Sequence, residues 1–267
     1  MAFDNFNFQF HYSFSGDTDK PLILFLHGFM GDSHEFNQVI SLLSDQFCCL
    51  TLDLPGHGRT RVLGGEEYYT MSTTAHALIN LLQQLNVKNC FLLGYSMGGR
   101  LALYLSLYFP QQFSKVVLES ASPGLKNQWD QVERRQQDFE LSRKLEKTDF
   151  SRFLSNWYNQ PLFGSLKNHP DFESLIANRL QNNPLELAKS LRNLSTGCQP
   201  SLWEKLKENQ NPMLLLVGEY DAKFIAINSE MARLCNSAKL EIVSHCGHNI
   251  HFENPKRFVE NVKTFLS

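Results

Sequence analysis

Short apolar runs alternating with amphipathic segments predict an α/β fold, a mostly parallel sheet flanked by helices and interrupted by an inserted helical lid. Three observations carry this expectation. Runs at Leu22 to Leu26, Phe47 to Leu52, Asn89 to Leu93, Lys115 to Leu118, Met213 to Val217 and Leu240 to Val243 have the length and apolar character of buried strands. Between them, segments around Phe36 to Leu43, Thr73 to Leu85, Ala226 to Leu234 and Pro255 to Phe265 read as helices. From Pro123 to about Gln199 the alternation stops, and the chain is helical, polar and strand-poor, with Arg134, Arg135, Arg143, Arg152, Arg179 and Arg192 spread along it.

Taken in order, Phe6, Phe8, Phe10, Tyr12 and Phe14 alternate with polar neighbours, the period of a half-buried strand, and predict an antiparallel entry strand. The sheet and its helices then occupy residues 1–122 and resume over 200–267, with 123–199 as the lid, so one domain carries an insertion. No internal repeat or low-complexity linker divides it. With 267 residues, 42% of them hydrophobic, the chain can bury a full core.

Charge excludes several classes of partner. Lys and Arg total 25 against 27 for Asp and Glu, a net charge of -2, so neither a nucleic-acid footprint nor a polybasic membrane patch is expected, and any anion site must be local. No basic stretch followed by an apolar core opens the sequence and no apolar run approaches a bilayer span, which makes the cytoplasm the expected compartment. The cysteines at 48, 49, 90, 198, 235 and 246 are scattered, and the adjacent Cys48 and Cys49 would point to opposite faces of a strand as buried thiols. His245, His248 and His251 have an H-x-x-H-x-x-H spacing, but only Cys246 accompanies them, so no metal or cofactor is expected.

Gly94-Tyr95-Ser96-Met97-Gly98-Gly99, between the apolar run Cys90 to Leu93 and the helix-forming run Leu101 to Leu105, reads as a nucleophile elbow. A serine on such a strained turn needs small neighbours where strand and helix approach, and Gly94 and Gly98 supply them. A serine hydroxyl is a poor nucleophile or base at neutral pH; it needs a histidine, itself oriented by a carboxylate. Asp221, in Gly218-Glu219-Tyr220-Asp221, and His248, in Cys246-Gly247-His248-Asn249, each follow the carboxyl end of a predicted strand, where α/β folds place their sites. The order Ser96, Asp221, His248 is that of the α/β-hydrolase triad. His27-Gly28-Phe29 follows the strand ending at Leu26 and reads as the oxyanion loop, with the amides of Phe29 and Met97 as the paired donors. Asp53-Leu54-Pro55-Gly56-His57-Gly58 lacks the spacing of a nucleotide loop and reads as a structural turn beside the site.

Arg100 narrows the chemistry. It lies four residues after Ser96, one helical turn along on the same face, and a buried guanidinium there calls for an anionic partner. These features resemble a specific family. Gly94 to Arg100, Ser122-Pro123-Gly124-Leu125, Trp157-Tyr158-Asn159-Gln160-Pro161-Leu162-Phe163, Gly247-His248-Asn249 and Glu253-Asn254-Pro255 resemble the 2-succinyl-6-hydroxy-2,4-cyclohexadiene-1-carboxylate synthases of menaquinone and phylloquinone synthesis, over residues 20–267. The arginine after the elbow and the Trp-Tyr-x-Gln-Pro segment discriminate most, since the triad belongs to the whole α/β-hydrolase superfamily.

The resemblance implies a carbon-oxygen lyase that expels pyruvate from a tricarboxylate cyclohexene, with Ser96 and His248 removing a ring proton and the enolate held by the oxyanion hole. It implies substrate contacts from Arg100, Arg134, Arg179, Tyr95 and Trp157. Arg135 competes with Arg134, because one residue on a helix rotates the side chain off the site. The intact triad keeps a hydrolase of small carboxylated esters or C-C ketones open as an alternative, and a non-catalytic receptor of the same fold as a second.

Overall fold

The computed structural model describes residues 7–267. The chain enters through β1 (Phe8–Gln9), β2 (Tyr12–Ser15) and β3 (Leu22–Leu26), then α1 (Asn37–Leu43), β4 (Cys48–Leu52), β5 (Arg61–Val62) and α2 (Met71–Gln84). It continues with β6 (Cys90–Tyr95), α3 (Ser96–Tyr108) and β7 (Phe113–Glu119). Next come α4 (Gln128–Lys147), α5 (Phe150–Tyr158), α6 (Phe172–Arg179), α7 (Pro184–Asn193) and the single turn α8 (Trp203–Leu206). It closes with β8 (Met213–Gly218), α9 (Ala222–Leu234), β9 (Ala238–Val243), α10 (Ile250–Glu253) and α11 (Pro255–Leu266). Seven strands form the central sheet in the order β2-β4-β3-β6-β7-β8-β9, parallel except for β2, which pairs antiparallel with β4.

The period-2 alternation of the strands sorts the core into two layers. Leu24, Leu26, Leu92 and Leu215 face α2, α3 and α9, while Ile23, Phe25, Leu93 and Leu214 face α1 and α11. A third apolar cluster belongs to the helices between β7 and β8: Leu145, Phe153, Leu154, Phe163, Leu175, Leu187 and Leu191 pack together with Met30 from the loop after β3. That insertion therefore has a core of its own, which Met30 of the β3 loop joins. On the outer face of α4, Trp129, Val132 and Phe139 are exposed. Among the described residues no helix is long and apolar enough to cross a membrane.

Two predicted elements differ from those observed. The single entry strand is two strands: β1 pairs with β5 in a separate two-stranded sheet and β2 joins the main one, while Phe6 lies outside the described residues. The break falls at Phe10 and His11, where the His11 amide donates to Thr60 Oγ1 (2.9 Å) and its carbonyl accepts from the Asp53 amide (2.9 Å). Such long-range partners interrupt a ladder that local periodicity reads as continuous. Helix α9 begins four residues before the predicted Ala226, because Asp221 caps it by accepting the Phe224 amide.

Candidate active site

Strand β6 runs straight into α3, and Ser96 stands at the junction with φ of 49°, in the left-handed region that a non-glycine residue rarely enters. Close packing holds the turn. A Cβ on Gly94 would meet the Gly98 carbonyl oxygen at 2.5 Å, and one on Gly98 would press into the backbone oxygens of Leu26 and His27. Met30, Ser120 and His245 also have positive φ, and with Ser96 they follow the carboxyl ends of β3, β6, β7 and β9. Strained backbone is thus concentrated at one rim of the sheet, as functional sites often require.

At that rim three side chains meet. His248 Nε2 lies 3.0 Å from Ser96 Oγ, and His248 Nδ1 lies 2.6 Å from Asp221 Oδ2. The Asp221 carboxylate can only accept, so Nδ1 carries the proton and Nε2 is free to accept from the serine hydroxyl. Asp221 and His248 are both buried, and the rings of Phe224 and Tyr95 pack against the imidazole at 4.7 and 5.5 Å. The geometry suits abstraction of a proton by an activated serine oxygen.

The loop after β3 is held from behind. His27 Nδ1 donates to the Gly28 carbonyl (2.7 Å) and its Nε2 accepts the Leu54 amide (2.9 Å), which locks the turn at Gly28 against the Asp53–Gly58 loop. His57 packs edge-on against both His27 and Phe29, and burial, reinforced by His27, drives its pKa down to about 3, so it stays neutral. The carboxylate of Asp53 takes the amides of Ser33 (2.6 Å) and Arg59 (2.7 Å), making this loop a structural brace. Met97, in the first turn of α3, has an amide with no acceptor four residues earlier in the helix.

A cavity of about 490 Å³ opens over Ser96 and His248, walled by Phe29, Trp157, Leu162, Phe163, Trp203 and Phe224. Four cationic residues line it: Arg100, Arg134, Lys126 and Lys223. Arg100 bonds only neutral acceptors, Gln199 Oε1 (3.0 Å) and the Leu194 carbonyl (2.6 Å), and burial together with the charge of Arg134 lowers its pKa to about 10. Lys126 pairs with Glu230 (2.6 Å), whereas Lys223 has no carboxylate partner among the described residues. Arg134 lines this cavity and bonds Asp138 (2.9 Å), while Arg135 lines a separate groove with Val132, Phe139 and Cys198. Ser120 and Ser190 also line the cavity, and their buried hydroxyls have no hydrogen-bond partner among the described residues.

Two residues expected at the substrate are elsewhere. Arg179 is buried and bonds Glu35 Oε1 (2.5 Å) and the Tyr158 hydroxyl (3.2 Å), so its guanidinium is occupied by the protein and does not line the cavity over Ser96. Tyr95 is also buried, its ring packed between the imidazoles of His248 and His251 beneath Gly28. The three histidines of the H-x-x-H-x-x-H run diverge: His245 meets Tyr220 at the surface, His248 joins Ser96, and His251 Nδ1 bonds Glu119 Oε2 (2.7 Å) with Glu35 nearby at 3.5 Å. Glu119, His251, Glu35 and Arg179 therefore form a continuous buried ionic chain from β7 to α6. Burial alone would depress His251, but Glu119 and Glu35 outweigh it and hold its pKa at about 9. Burial would likewise raise Glu35, yet Arg179 and His251 carry it down to about 2.

Sequence reasoning passed over Lys126 and Lys223. A signal for Lys223 existed: it sits in the first turn of α9, where the helix dipole disfavours a cation, so a compensating anion is called for.

The family model for the alpha/beta hydrolase fold matches residues 21–255. A Bacillus subtilis (strain 168) protein that carries the name 2-succinyl-6-hydroxy-2,4-cyclohexadiene-1-carboxylate synthase provisionally is 37% identical over 94% of this chain and 92% of its own length. The Escherichia coli O1:K1 / APEC protein of that name is 33% identical over 94% of this chain and 96% of its own. Among solved structures, MenH from S. aureus superposes with a TM-score of 0.89 at 34% identity, covering 98% of each chain. The chain belongs to the α/β-hydrolase fold and, within it, to the 2-succinyl-6-hydroxy-2,4-cyclohexadiene-1-carboxylate synthase family.

Proposed function

We propose that this protein eliminates pyruvate from 2-succinyl-5-enolpyruvyl-6-hydroxy-3-cyclohexene-1-carboxylate to give 2-succinyl-6-hydroxy-2,4-cyclohexadiene-1-carboxylate, a carbon-oxygen lyase step of menaquinone or phylloquinone synthesis carried out in the cytoplasm. The observation that carries this reading is Arg100: a guanidinium facing the cavity of Ser96 and His248, with only neutral hydrogen-bond acceptors of its own. A charge so placed favours an anionic ligand, and Lys223, without a carboxylate partner among the described residues, extends the same preference along the wall, where Arg134 adds a second guanidinium paired to Asp138.

In the proposed reaction His248, oriented by Asp221, takes the Ser96 proton as the serine oxygen removes the ring hydrogen alpha to the succinyl ketone. The enolate oxygen is met by the amides of Phe29 and Met97; losing one such donor costs about 2.7 to 4 kcal/mol of barrier. Electrons return through the ring, the bond from carbon to the enolpyruvyl oxygen breaks, and the departing enolpyruvate takes up a proton on its methylene carbon to become pyruvate. No water is consumed. Trp157 walls the ring site, and we assign Arg179 and Tyr95 to support of the site rather than to contact with substrate.

The ready Ser96 to His248 hydrogen bond favours one second reading, hydrolysis of small carboxylated esters or C-C ketones. Supplying the enolpyruvyl substrate and following pyruvate with a coupled dehydrogenase separates the two. Pyruvate formed in step with substrate loss is expected; brisk ester cleavage with no pyruvate would reject the lyase.

A further inference from the structure

Helix α4 buries only Asp138, Ser142 and Leu145, so its inward stripe is mostly polar. A carboxylate at such a boundary carries a desolvation cost before its partners compensate, and an apolar residue of similar volume would pack there without it. Packing therefore does not explain Asp138, which is 3% exposed. Its bonds do. Asp138 Oδ2 accepts from Arg134 Nε (2.9 Å) and from Ser195 Oγ (2.5 Å), and Ser195 Oγ accepts in turn the amide of Gly197 (2.9 Å). The same short segment holds Arg100: Leu194 offers its carbonyl to Nη2 (2.6 Å) and Gln199 its Oε1 to Nη1 (3.0 Å). Gln199 is anchored by donating to the Ser122 carbonyl (3.2 Å).

We propose that Asp138 is a positioning residue of the carboxylate site, fixing the guanidinium of Arg134 and tying it to the 194–199 segment that fixes Arg100, so that the two arginines act on one substrate carboxylate as a unit. Engaging Arg134 through Nε leaves its two terminal nitrogens for the planar fork that matches a carboxylate. The inference rests on the lyase reading and deepens it.

A double-mutant cycle tests it. Asp138→Ala, Arg134→Ala and the double variant are compared with wild type by steady-state pyruvate formation and by calorimetric titration with 4-oxo-4-phenylbutanoate, a keto acid carrying one carboxylate on an aryl ketone. Asp138→Ala should raise KM and the Kd of the keto acid about tenfold with a much smaller change in kcat. In the Arg134→Ala background it should add nothing further, because the residue it positions is gone. Fold-changes that multiply in the double variant, or a lowered melting temperature with KM unchanged, would overturn the proposal. Asp138→Asn, which keeps the shape and an acceptor but not the charge, should give an intermediate rise in KM, and it decides the matter alone if the alanine variant does not fold. The titration separates this claim from the lyase reading: a wild type that makes no pyruvate but shows the non-additive Kd pattern would reject the reaction and keep the positioning role.

Discussion

Two charged assemblies flank Tyr95 and the His248 imidazole, and they treat the same residue type in opposite ways. In the ionic chain Glu119, His251, Glu35 and Arg179, every charge faces an opposite one, and Arg179 and Glu35 have 6% and 2% of their side chains exposed. At the cavity Arg100 faces a carbonyl and an amide oxygen, and Lys223 faces no carboxylate among the described residues. Arg179 is buried and Arg100 half-buried, but the sharper difference is the charge of their partners. A cation that the fold has already neutralised joins the insertion to the sheet, whereas one that the fold merely props remains able to attract an anion.

The contrast can be broken most directly at its centre. Ser96→Ala should fold with an unchanged melting curve yet lose at least about a thousandfold in pyruvate formation, as expected when one member of an interdependent triad is removed. Retained turnover would show that another group takes the proton. Next, Arg100→Ala should reduce kcat/KM by roughly a hundredfold, mainly through KM, with little change in stability, whereas Arg179→Ala should destabilise the fold by about 3 kcal/mol because Glu35 stays buried with only His251 as counter-charge. Denaturant titration and steady-state kinetics on both variants, with the exposed Arg143→Ala as a control that changes neither, would test the division; equal kinetic losses at positions 100 and 143 would erase it.

A smaller effect comes from pH. His251 is held at about 9 in the folded protein against 6.5 for an ordinary histidine, so its contribution to stability is complete below pH 6.5 and is lost as pH rises through 9. Glu35, held at about 2 against 4.5, contributes above pH 4.5 and loses that contribution as pH falls toward 2. Thermal melts between pH 6.5 and 9 should show wild type declining and His251→Gln nearly flat. A decline equal in both would remove the ionic chain from the account of stability.

What the sequence disclosed follows how local each feature is. The elbow is encoded within a few residues, since strand, tight turn and helix adjoin, and the serine, acid and histidine each follow a recognisable strand. Arg100 was legible for the same reason, standing one helical turn from Ser96. Arg179 was not: Glu35, which claims it, lies 144 residues away in the chain, and nothing near either residue announces the pair. Arg134 and Arg135 look alike in sequence, and only the orientation of α4 turns one to the cavity and the other to a separate groove. The entry strand failed on the same principle, its period-2 pattern running through a break made by Thr60 and Asp53.

The chain has three tryptophans, and their placement gives it an optical property. Trp157 and Trp203 stand in the wall of the cavity, with the ammonium of Lys126 4.4 Å from the Trp203 ring, and Trp129 lies on the outer face of α4; the central sheet has none. Intrinsic emission therefore comes from the chamber wall and the inserted helices while the sheet stays dark. A molecule seating itself beside Trp157 would change the emitted light with no dye attached, and the kinetics of entry and departure could be followed on the unmodified enzyme.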